Sequence, residues 1–155
     1  MSAQALELKV PPVAVILLIA GLMGLAAWRV PGLTSPLPGR GYLAAGLAAA
    51  GALVAVLGVV AFRRARTTLN PMSPESASTL VIAGIYRRTR NPMYLGMLLI
   101  LLALAVFLSN ALAAVLVPVF VLYMTRFQIR PEERALEARF GADFVAYKGM
   151  VRRWL

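Results

Sequence analysis

The 155-residue chain contains no cysteine and no histidine. The first absence excludes disulfides, thiolate metal sites and a cysteine nucleophile. The second excludes an imidazole base, an imidazole metal ligand and the side chain that ordinarily titrates near neutral pH. No metal site is therefore expected, and no titration of the protein's own between about pH 6 and 8 unless a carboxyl is displaced from its usual range. Acidic residues are scarce: Glu7, Glu75, Glu132, Glu133, Glu137 and Asp143 are the whole set, so any carboxylate chemistry falls to one of them. Charged residues make up 14% of the chain against 61% hydrophobic, and the mean hydropathy is +0.79, which excludes an ordinary soluble domain. The formal charge of +10 does not point to nucleic acid. The basic residues collect beside apolar runs without a recognised binding motif, a pattern that fits anionic lipid headgroups.

What is present is a series of membrane-length apolar segments. Val10 to Val30 has Arg29 as its single charge and prolines 11 and 12 at its start, and it lacks the pattern of a cleaved signal peptide. Tyr42 to Phe62 is rich in alanine, and Gly46, Gly51 and Gly58 leave room for a neighbouring helix to approach closely, within the monomer ahead of GxxxG-like dimerisation. Met93 to Leu108 and Ala111 to Met124 are separated by Ser109 and Asn110 alone, which predicts a tight helical hairpin with arms of roughly 20 to 25 Å. The tail from Arg126 is amphipathic, with Pro131, Glu132 and Glu133 expected to form a helix first turn. Residues 63–91 form a long connection stiffened by Pro71 and Pro74, in which Thr67, Thr68 and Asn70 have backbone groups to bond. The expected fold is an all-α integral membrane protein of about four transmembrane helices, including the C-terminal hairpin, with a cytoplasmic amphipathic tail helix. Residues 1–62 supply two helices and residues 63–155 a core, in one compact unit.

Thirteen of the sixteen basic residues lie in the 63–91 connection and the tail. A complete hairpin between them puts both on one side, and the positive-inside rule makes that side the cytoplasm, with both termini there.

The stretch Thr79 to Gly96, TLVIAGIYRRTRNPMYLG, brings Tyr86, Arg87, Arg88, Arg90, Asn91 and Tyr94 to the edge of the third apolar segment. On the residues alone two readings stand. The arginines are membrane anchors and Asn91-Pro92 caps and starts a helix, or the cluster holds a charged cofactor beside a lipid-dissolved substrate.

GIYRRTRNPMYLG, a short apolar hairpin, and then EERALEARFGADFVAYKGMVRRW together resemble the isoprenylcysteine carboxyl methyltransferase family. That family's pattern is G-x-Y, R-H-P-x-Y-x-G, a hairpin, and E-E near F-G-x-x-[YF]-x-x-Y with a basic end. The related phospholipid methyltransferases share a looser version. The resemblance covers roughly Thr67 to Trp154 and implies a membrane enzyme that uses S-adenosylmethionine. It places cofactor contacts at Ser78, Thr79, Leu80, Val81, Tyr86, Asn91, Pro92, Tyr94 and Glu132; Arg90, Asn91 and Glu132 are the candidate catalytic residues. The family's histidine is Asn91 here, which keeps hydrogen bonding but cannot become a cation. Gln128 stands where relatives carry an arginine for substrate, leaving Arg126 and Arg130 as the candidate substrate contacts.

The cofactor's own chemistry asks for a carboxylate opposite its ammonium, donors opposite its carboxylate and aromatic or apolar walls. Glu132, Arg90 with Asn91, and Tyr86, Tyr94 and Leu80 to Val81 can supply these. Glu133, Glu137 and Asp143 are expected only to favour helix starts. The implied activity is methyl transfer to a lipophilic carboxylate or thiol from the lipid bilayer, in a bacterial inner membrane. The alternatives are a phospholipid amine methyltransferase and a non-catalytic membrane protein that keeps the fold.

Overall fold

The computed structural model describes residues 7–66, 72 and 77–155. The expected bonding of Thr67, Thr68 and Asn70, the stiffening at Pro71 and Pro74, and Glu75 lie outside them. The described chain is helical throughout, with one isolated bridge between Thr34 and Asn110. Helix α1 is Pro12–Arg29, α2 Arg40–Arg64, α3 Pro92–Leu108, α4 Ala111–Tyr123, α5 Arg130–Phe140 and α6 Ala142–Met150.

Pro12 sits where a missing N–H costs nothing and starts α1. Val15, Ile19 and Met23, four residues apart, are buried with Leu101, Val117 and Phe120 of the hairpin, while Leu17, Leu18 and Trp28 face outward. Such outward apolar faces are solvated by lipid. Three helical stretches, Pro12–Arg29, Arg40–Arg64 and Ala111–Phe140, are long and apolar enough to cross a membrane, and Pro92–Leu108 is a shorter apolar helix. The protein is an integral membrane protein of the expected all-α class.

Helices α2 and α3 meet backbone to backbone. A Cβ on Gly51 would stand 2.7 Å from the Gly96 carbonyl oxygen, and one on Gly96 would stand 2.6 Å from that of Gly51. Gly58 is closed in the same way by Pro92 and Met93, whereas Gly46 faces open space. Close approach within the monomer thus uses two of the three glycines singled out from the sequence.

At the hairpin tip Ser109 adopts a left-handed conformation, and Asn110 Oδ1 caps α4 by accepting from the Ala113 N–H at 3.1 Å. The buried Asn110 Nδ2 donates to the Val30 carbonyl and to Thr34 Oγ1, both at 2.9 Å. The tip is thereby tied to the 31–39 connection, at the end of the bundle opposite the 77–91 stretch.

The tail helix begins as expected, with Pro131 at its start and Glu132 and Glu133 in its first turn. What the sequence does not announce is that α4 runs through a π-helical turn, Met124–Ile129, into α5, so that Ala111–Phe140 is one rod. Proline removes a donor and crowds the carbonyl four residues back, and a turn widened just before it relieves both. The rod is apolar over Ala111–Tyr123 and from Arg126 onward carries Arg126, Arg130, Glu132, Glu133 and Arg134.

Candidate active site

Asn91 occupies the N-cap position of α3, but its side chain does not cap. Nδ2 donates instead to the Arg153 carbonyl at 2.9 Å, and the Asn91 N–H goes to Thr89 Oγ1 at 3.2 Å. Thr89, fully buried, also reaches the Arg153 carbonyl, and the Arg90 N–H bonds the Arg152 carbonyl at 3.0 Å. The motif stretch is therefore clasped by the segment after α6. From this base Pro92 starts α3, and its first turn projects Tyr94 toward the rod.

There the Tyr94 hydroxyl donates to Glu132 Oε1 at 2.5 Å, and Gln128 Nε2 donates to the same oxygen at 2.6 Å. Gln128 and Glu132 are four residues apart and share a face. Glu132 Oε2 makes no hydrogen bond among the described residues. Burial raises the Glu132 carboxyl to about 7, against the two donated bonds, and the adjacent Glu133 charge adds to the rise. Tyr86 is buried edge-on to Phe62, and its carbonyl accepts from the Tyr147 hydroxyl at 2.7 Å. Burial, then the neighbouring Tyr147 and Glu132, hold the Tyr86 phenol above its ordinary range, so it stays neutral beside the carboxylate.

The other candidates divide. Arg90 is close by, but its guanidinium already pairs with Glu133 at 3.0 Å and reaches the Lys148 carbonyl at 3.4 Å; its buried Nε has no partner among the described residues. Leu80 and Val81 line a cavity of about 370 Å³ against α2, together with Leu57, Ala61 and Arg64. Ser78 and Thr79 are exposed at its approach. Pro92 is buried against Gly58. Arg126 is not beside Glu132: its Nη1 is 2.7 Å from Glu7 Oε1, and Arg134 binds the other Glu7 oxygen. Those arginines hold the Glu7 carboxyl below its usual range. Arg130 is exposed.

Two contributors were hidden in the sequence. Gln128 stood out only as a departure from the resemblance, although its spacing to Glu132 could have paired them. Glu133, read as a helix start, is instead the partner of Arg90 and Arg153.

A protein of Haemophilus influenzae described as uncharacterized is 51% identical over 63 residues, which are 41% of this chain and the whole of that one. No solved structure matches the chain. Residues 40–143, more than half of the chain and including Tyr86, Asn91, Tyr94, Gln128 and Glu132, match the family described as phospholipid methyltransferase. The chain belongs to that family of membrane methyltransferases.

Proposed function

We propose that the chain is an S-adenosylmethionine-dependent methyltransferase that works at the cytoplasmic edge of a bacterial inner membrane on a lipid-dissolved acceptor. The observation that carries this reading is Glu132, with one carboxylate oxygen fixed by Tyr94 and Gln128 and the other without a hydrogen bond among the described residues. That second oxygen suits the cofactor's ammonium, and the buried Arg90 Nε suits its carboxylate. Tyr86 and Tyr94 would wall the sulfonium and adenine. When bound, the cofactor supplies an activated methyl group and leaves as a neutral thioether, so no acid is needed for departure. The chain's residues have to orient the acceptor in line and exclude water.

In the isoprenylcysteine carboxyl methyltransferase-like form of this reading, the acceptor is a lipophilic carboxylate or thiolate that is already anionic. A specific observation favours a second form, methylation of a lipid amine. Of the two candidate substrate cations, Arg126 is held by Glu7 and exposed Arg130 is left for an anionic acceptor, whereas a lipid amine needs neither.

Equilibrium binding of S-adenosylmethionine to the purified protein tests the common claim. Loss of a charge-assisted bond weakens binding by roughly ten- to a hundredfold, so Glu132→Ala should lose that much and Glu137→Ala should lose little. Equal losses would refute the site. Methylation profiles with a carboxylate, a thiol and an aminolipid then separate the two forms.

A further inference from the structure

Glu133 is given no contact with cofactor or acceptor in the reading above, yet it joins three separate segments. Its Oε1 lies 3.0 Å from Arg90 Nη2 and 3.0 Å from Arg153 Nε, and its Oε2 lies 2.6 Å from Arg153 Nη2. Arg90 precedes α3, Arg153 follows α6, and Glu133 is on α5. The Arg90 and Glu133 side chains are only 11% and 13% exposed, and a pair so withdrawn from water gains little net stability, because desolvation offsets the attraction. What it does fix is geometry. Neighbours on a helix point about 100° apart, so the turn that presents Glu133 to the arginines presents Glu132 to Tyr94.

We propose that Glu133 is a positioning residue for Glu132, gripped by Arg90 and Arg153 so that the neighbouring carboxylate meets Tyr94 and Gln128, and that this ionic cluster sets the charge Glu132 experiences. The inference deepens the proposed function and rests on Glu132 being its working carboxylate.

The groups around Glu132 are Tyr94 from α3, Tyr86 from the turn Gly84–Arg87, Gln128 from the π turn and Glu133 on α5. Arg90, Arg153 and the Tyr147 hydroxyl of α6 lie behind them. Among these the charged ones are Glu133 and its two arginines. Glu133→Gln removes a like charge and leaves both arginines uncompensated, so Glu132 should ionise at lower pH. Arg153→Gln leaves Glu133 with Arg90 alone, so Glu132 should ionise at higher pH. Arg153→Lys keeps the charge and should stay near the unaltered protein. Loosening of the fold alone gives no such opposed pair.

The measurement is a pH titration of the protonated-carboxyl infrared band in the purified full chain, assigned to Glu132 by its loss in Glu132→Gln. We expect shifts of about half a pH unit or more in the two directions. No shift in either variant, or shifts of the same sign, would overturn the proposal. Should Glu133→Gln not fold, an upward shift in Arg153→Gln with none in Arg153→Lys supports it, and any other result overturns it. The readout needs no cofactor, so failure of the unaltered protein to bind S-adenosylmethionine would sink the proposed function and leave this test standing.

Discussion

A carboxyl that retains its proton to about pH 7 makes Glu132 a source of pH dependence in a chain without histidine. Its folded value is raised above the ordinary 4.5, so between those values the folded state binds more protons than the unfolded one. Stability should therefore fall as pH rises from about 4.5 to about 7. Thermal unfolding in detergent at pH 5 and pH 8 checks the sign, and Glu132→Gln should remove this contribution to the slope. Affinity for S-adenosylmethionine should run the opposite way and rise through the same window as the carboxylate forms. Tyr94→Phe deletes one of the two donated bonds and should weaken that binding by about tenfold, the worth of a hydrogen bond to a charged group. Part of this candidate site could be read beforehand, since Tyr94 bonds Glu132 and Tyr86 lies near the same carboxyl, whereas Asn91 bonds the Arg153 carbonyl instead. What could not be read was the partner choice of Arg90. Its carboxylate lies 43 positions away, and selecting Glu133 over Glu132 depends on the rotation of a rod whose π turn leaves no local signature.

Among the elements, the α2–α3 seam is the most constrained. Gly96→Ala would push a methyl group against the Gly51 carbonyl and to 2.8 Å from Ala55 Cβ. Because part of the obstacle is backbone, the helices must separate, and a loss of about 1–3 kcal/mol is expected in unfolding measurements. Gly46→Ala, facing open space, should be neutral or stabilise by up to ~1 kcal/mol through helix propensity. The hairpin tip supplies a separate test. Asn110→Ala strips three hydrogen bonds from a buried corner and should cost about 1–3 kcal/mol while leaving cofactor binding unchanged, because the corner lies at the far end of the bundle. The helices themselves were legible because long apolar runs bounded by proline, glycine or paired polar residues permit few alternatives. The continuity of α4 with α5 was not, because a proline preceded by arginine reads as a boundary unless a widened turn absorbs it.

Across the whole molecule, the segment before α1, the 77–91 stretch and the C-terminal part meet at one end: the Leu8 N–H bonds the Phe127 carbonyl, and Thr89, Arg90 and Asn91 bond residues 152–153. A reporter active only outside the cytoplasm should therefore be silent when fused at Leu155 and active when inserted at Ser35, beside the hairpin tip. The reverse pattern would invert the proposed orientation. The clasp on the motif also bears on how the protein is made. Thr89 and Arg153 are 64 positions apart. At about 5–20 residues per second on the ribosome, roughly 3–13 seconds separate their synthesis. Helices α1 to α4 precede the clasp in the chain, so a translation product interrupted before Arg152 would hold its apolar helices without the clasp. The clasp is thus closed only after the last of these helices has been made.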